Sequence, residues 1–169
     1  ILKKGNFEFK SKSEAKISPL AMKLFENEDV KNVFFGIDFI TITKSEAIDW
    51  EIIKPDILSK IMNFFSSGLP VINEGDISED NDSSEKEVYN KKDLKIVEHI
   101  KELLEEKIRP AVAQDGGDIR FVKFEDYVVF LELRGSCAGC PSSTLTLKSG
   151  IENMLKYYIP EIKSVEAVN

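Results

Sequence analysis

The sequence predicts an α+β protein of two small α/β domains joined by an acidic flexible linker. Three observations carry that prediction. Apolar residues recur at a period of two in some stretches and near 3.6 in others, in both halves of the chain. Residues 73–90 hold seven acidic side chains against one basic and almost nothing to bury, the composition of a disordered tether. Both cysteines lie in Gly135-Ser136-Cys137-Ala138-Gly139-Cys140-Pro141, between an apolar run ending at Leu133 and a helical pattern from Ser142. The expected domains are 1–72 and 91–169, and 169 residues suffice for both.

In the first domain, residues 1–16 are lysine-rich and polar, with one weak alternation at Phe7 and Phe9. Ser18-Pro19 has the form of an N-cap followed by proline at the first helical position, and Leu20, Ala21, Leu24 and Phe25 recur at helical spacing. Residues 31–35 and 39–43 alternate as two strands around Gly36-Ile37-Asp38. A second helical pattern runs to Phe65, and Pro55 inside it places the expected start near Lys54. Trp50 and the phenylalanines read as core.

In the second domain, Leu94, Val97, Ile100, Leu104 and Ile108 make one stripe of an amphipathic helix over about 92–112. Arg109-Pro110 should bend or break it. Asp115-Gly116-Gly117-Asp118 is a strong stop. Residues 119–124 and 128–133 read as strands joined at Glu125-Asp126-Tyr127. The cysteine loop, a helix over about 142–158 and a short strand over 165–168 complete the order helix–strand–strand–helix–strand, with the Cys-x-x-Cys loop between strand and helix.

Bulk properties narrow the function classes. No apolar run approaches the roughly 20 residues that cross a bilayer, so no membrane partner is expected. A net charge of −7 speaks against general nucleic-acid binding. No signal peptide directs the chain to an oxidising compartment, and two cysteines are too few for a disulfide framework. The first residue is Ile1 rather than Met, so a natural N-terminus is expected to precede it, and a transit peptide could belong to that segment. The expected location is a bacterial cytoplasm, with the mitochondrial matrix as the alternative.

The thiolate, not the thiol, is both nucleophile and metal ligand. A helix N-terminus favours that anion through its unpaired N–H groups and dipole, so the position of Cys137 and Cys140 is expected to lower their pKa. Two intervening residues bring both sulfurs onto one centre. Zinc and iron–sulfur sites normally need four ligands, and the chain has two Cys and one His. His99 reads as a surface residue of the first helix. Ligand counting therefore points to a symmetric dimer with two thiolates from each chain. A redox dithiol and an inert pair remain open on the residues alone.

Two stretches in the second domain carry a family resemblance. Arg109-Pro110-Ala111-Val112-Ala113-Gln114-Asp115-Gly116-Gly117-Asp118 resembles the signature preceding the sheet of the NifU C-terminal domain, and Gly135 to Glu152 resembles its cluster-binding motif. Ser18-Pro19-Leu20-Ala21, Val33-Phe34-Phe35-Gly36, residues 39–43 and Lys54-Pro55-Asp56 resemble the Nfu N-terminal domain. That domain usually opens with a proline- and asparagine-rich segment and an edge strand, and nothing here matches them, so the resemblance implies an N-terminally truncated domain whose first sheet lacks a strand. The chain thus resembles a two-domain Nfu-type iron–sulfur cluster scaffold or carrier. That resemblance implies a [4Fe-4S] cluster, or a [2Fe-2S] one, held by Cys137 and Cys140 and bridged between two subunits. It implies transfer to apo iron–sulfur client proteins after receipt from upstream donors, and no enzymatic role. A Cys-x-x-Cys dithiol oxidoreductase and a zinc-bridged structural dimer are the alternatives. In Asp115 to Asp118 the glycines are expected to supply a positive-φ turn and the aspartates to cap neighbouring backbone.

Overall fold

A computed structural model of the chain describes residues 1–2, 5–73, 89–138 and 141–168. These form two compact units, one before and one after residues 74–88. Most of the expected linker therefore lies outside the described residues. Both units mix helix and sheet, as the sequence predicts.

In the first unit, β1 (Phe7–Phe9), β2 (Val30–Phe35) and β3 (Ile40–Lys44) form an antiparallel sheet in the order β1-β2-β3. The expectation of a missing edge strand is corrected here: β1 pairs Phe9 with Val33 and Phe7 with Phe35. Three residues are too few for periodicity to reveal, but Phe9 is buried and the pairing satisfies the backbone. α1 (Pro19–Leu24) starts as its sequence dictates. Ser18 Oγ accepts from the Ala21 amide at 3.1 Å and donates to the Val71 carbonyl at 2.6 Å.

α2 (Trp50–Ser66) begins a turn earlier than expected, with Pro55 inside it. The Ile52 and Ile53 amides both bond to the Asp49 carbonyl, at 3.1 and 3.3 Å. The carbonyl that Pro55 leaves without its i+4 donor belongs to Glu51, an exposed residue that water can reach. Ile53, Ile57 and Phe64 enter the core with Leu20, Leu24, Val33 and Phe35. Trp50 and Phe65, also read as core, do not: Trp50 is 43% exposed, under Lys44 Nζ at 5.9 Å from its ring, and Phe65 lies exposed off the buried face of the helix.

In the second unit, α3 (Lys91–Leu103) is capped by Asn90, whose side chain accepts from the Lys92 and Asp93 amides. A π-helical turn, Leu104–Ile108, then leads into α4 (Arg109–Gln114). The expected break at Arg109-Pro110 takes this form. The extra residue of the wider turn absorbs the missing proline donor, and Arg109 N–H reaches the Leu104 carbonyl five residues back.

β4 (Gly117–Glu125) and β5 (Val128–Gly135) pair antiparallel through a tight turn at Asp126 and Tyr127, both with positive φ. α5 (Pro141–Tyr158) carries the chain back, so that β6 (Ser164–Val168) lies parallel to β5. Strand order is β4-β5-β6. Alternation along β5 sends Val129, Leu131 and Leu133 into a core with Ile100, Leu104, Ile119, Leu155 and Val165. Glu152 closes α5 onto β6, accepting from the Val165 amide at 3.0 Å and from Lys156 Nζ at 2.6 Å.

Candidate metal centre

The hairpin brings two sequence motifs to one end of the sheet. Gly117 opens β4 and Gly135 ends β5, and the two residues are direct partners, as are Asp118 and Arg134. Asp115-Gly116-Gly117-Asp118 and the cysteine turn therefore emerge side by side. Ser136 fastens them: its amide donates to the Gly116 carbonyl at 3.2 Å and its hydroxyl to the Asp115 carbonyl at 2.6 Å.

Cys137 sits in a short 3-10 turn, Ser136–Ala138, just ahead of α5. Thr144, one turn into that helix, donates from Oγ1 to the Cys137 carbonyl at 3.1 Å. Cys137 is only 8% exposed and joins the hydrophobic core. Its sulfur fills the space above Gly117, where any Cβ would overlap it. Gly117 has an ordinary φ, so its lack of a side chain matters for room. Gly116, at φ 78°, is the member of the pair that supplies the positive-φ turn.

This placement corrects the expected acidity. Burial pushes the Cys137 thiol up from its ordinary value, and the Asp115 and Asp118 carboxylates add to that. A side-chain hydrogen bond with Ser136 works the other way. Cys137 precedes the helix and is buried, so desolvation is the largest influence on its thiol. Cys140 and Gly139 lie outside the described residues.

The Asp118 carboxylate, expected to serve backbone, meets the Arg109 guanidinium in a two-point pair. Nε lies 2.8 Å from Oδ1, and Nη2 lies 2.9 Å from Oδ2. Asp118 is 7% exposed. Arg109 also bonds Glu105, and its own pKa is raised chiefly by Asp118. The pair ties α4 to the first residues of β4 and so fixes the floor beneath Cys137. Sequence reading quoted both residues without seeing this pairing. The available signal was opposite charges nine positions apart, astride a glycine turn.

Once deprotonated, a cysteine thiolate is a suitable donor for iron or zinc, and the glycine notch gives Cys137 a defined seat. Among the described residues, no group of three or more His, Cys, Asp or Glu side chains is placed to hold a metal ion. His99 is exposed on α3, as expected. No helix among the described residues is long and apolar enough to cross a membrane.

Comparison with known proteins agrees with this architecture. The family model described as scaffold protein Nfu/NifU N terminal matches residues 1–68, and that of the NifU-like domain matches residues 100–166. The chain is 50% identical over 169 residues to a Drosophila sechellia protein named NFU1 iron-sulfur cluster scaffold homolog, mitochondrial, covering 99% of this chain and 58% of that one. The Homo sapiens protein of the same name is 48% identical, with 99% and 64% covered. That of Drosophila virilis is 51% identical, with 99% and 55% covered. The chain thus spans less than two thirds of the length of these relatives. With an N-terminal Nfu unit followed by a NifU-like unit over nearly its whole length, the chain belongs to the Nfu family.

Proposed function

We propose that this chain is an iron–sulfur cluster carrier whose cargo is a [4Fe-4S] cluster shared by two copies. Cys137 and Cys140 of each copy supply the four thiolates. The observation that carries this reading is the seating of Cys137: a thiol on a short turn, over a glycine that leaves room for sulfur alone. The names of the relatives, iron–sulfur cluster scaffolds, support it.

Loading requires the buried Cys137 side chain to turn outward and lose its proton. The Arg109–Asp118 pair and the Ser136 hydrogen bonds hold the surrounding backbone in place meanwhile. Delivery is ligand exchange: thiolates of an apo-protein replace those of the carrier one at a time, with no bond made or broken in the carrier's backbone. The chain acts as a carrier and not as an enzyme on this reading. Upstream donors and apo-clients are its partners, and the mitochondrion, as in the names of its relatives, is its compartment.

Anaerobic reconstitution with iron and sulfide tests the reading. The reconstituted protein should hold about four irons per pair of chains, absorb broadly in the visible and restore an apo-protein that needs a [4Fe-4S] cluster. Cys137→Ala and Cys140→Ala should each abolish all three. A colourless monomer that reduces disulfides would instead establish the dithiol alternative.

A further inference from the structure

The first unit carries an apolar stripe that its own core does not use. Along α2, Pro55, Leu58, Met62 and Phe65 recur at spacings of three, four and three, which lines them on one side of the helix. All four are exposed, Leu58 and Phe65 by 48% each and Met62 by 69%. The face is distinct from the buried one, which Ile53, Ile57 and Phe64 form. Exposed Ser59 and Ser66 border it.

The charge pattern says what this stripe can meet. From Ile57 to Leu69 the one charged residue is Lys60, and it is paired with Asp56 at 3.0 Å. A face that packs on its own twofold copy must not oppose like charges; the exposed Glu51 and Lys54 lie at the start of the helix, so antiparallel pairing sets them against the uncharged end of the copy. The 3-4-3 spacing is that of a helix-pairing seam. Its size sets the strength. Four half-exposed side chains make a patch of a few hundred Å², well under the roughly 1,200–2,000 Å² of a stable complex. Such a contact is weak between free copies. It becomes populated when something else holds two copies together, since tethering gives local concentrations on the order of millimolar.

We propose that the α2 stripe is a second, weaker self-interface: α2 packs antiparallel on α2 of another copy once the cysteine-bearing units are paired. The pairing of those units rests on the carrier reading above; the helix contact itself does not. It would close the first units over each other in the loaded dimer and part them when the cargo leaves.

Sedimentation of the full apo chain under reducing conditions, up to about millimolar concentration, measures the contact directly. Wild type should associate weakly, with Kd on the order of a millimolar. Cys137→Ala should associate equally, and Met62→Glu should stay monomeric. In the reconstituted dimer, amides over residues 58–66 should exchange hydrogen severalfold more slowly than in the apo chain. Met62→Glu should erase that protection without changing the iron per chain. If Met62→Glu sediments as wild type does and those amides exchange equally in both states, the proposal is overturned. Protection that appears only when an apo-client is added would also overturn it, assigning the stripe to a different occupant. A chain that takes up no cluster sinks the carrier reading, while the sedimentation series still decides the helix contact.

Discussion

Helices α2 and α3 are both long, and each sends buried side chains into the core of a unit with a three-stranded sheet. α3 keeps its apolar residues to that side: Ile96, Val97, Ile100 and Leu103 are buried, and Leu94 is its one exposed large apolar residue. Its other face is lysine, glutamate and His99. α2 is apolar on several sides and leaves Trp50, Ile52, Leu58, Met62 and Phe65 in the open. The charged network differs in the same sense. The second unit links Glu105, Arg109 and Asp118 into a charged chain that ends beside the Gly117 notch, whereas α2 beyond Asp56 has only Lys60. A stable helix needs one apolar face, and a second apolar face needs a partner. The candidate site therefore lies in the second unit, while α2 of the first leaves an apolar face exposed.

Substitutions can break this contrast, and Arg109→Ala should have the largest effect. It removes the guanidinium from the nearly buried Asp118 carboxylate. Loss of one partner of a fully buried pair costs about 3–5 kcal/mol, and the partial exposure of Arg109 lowers that to about 2–3 kcal/mol. Trp50 is the only tryptophan, so its fluorescence follows the first unit while circular dichroism follows both. In denaturant, Arg109→Ala should shift the dichroism transition and leave the Trp50 transition unmoved.

Gly117→Ala comes next, because its Cβ would overlap the Cys137 sulfur. We expect a loss of about 1–3 kcal/mol in the second unit and faster alkylation of the displaced Cys137. Unchanged alkylation would show that the sulfur does not rest in the notch.

Glu152→Gln should have a smaller, pH-dependent effect. The Lys156 ammonium and the Val165 amide hold the Glu152 carboxyl below its ordinary value near 4.5. A depressed folded pKa stabilises the fold above the unfolded value, and that stabilisation fades as pH falls through the folded one. Wild type should therefore exceed Glu152→Gln by about 0.5 kcal/mol at neutral pH, with the gap closing in acid below about pH 4.5. In contrast, Met62→Glu should change the unfolding of the monomer by less than about 0.5 kcal/mol, as exposed positions do.

These positions also mark what the sequence alone could convey. Strands β2 to β6 and the helices were legible because their apolar faces repeat locally. The turn that holds Cys137 was legible because it falls between a strand pattern and a helical one. β1 was not, since three residues carry no period. The start of α2 was misplaced because Pro55 costs little where the orphaned carbonyl meets water. Trp50 was read as core, but its apolar ring alone does not say which side of the helix it occupies. The burial of Cys137, its notch at Gly117 and the Arg109–Asp118 pair all depend on contacts across the hairpin, and no local spacing encodes them.

Native mass spectrometry of the anaerobically reconstituted chain tests the central claim most directly. A mass of two chains plus four irons and four sulfides, absent in Cys137→Ala, is the predicted result. A monomer carrying metal, or a dimer holding a single zinc, would contradict a cluster shared between two copies.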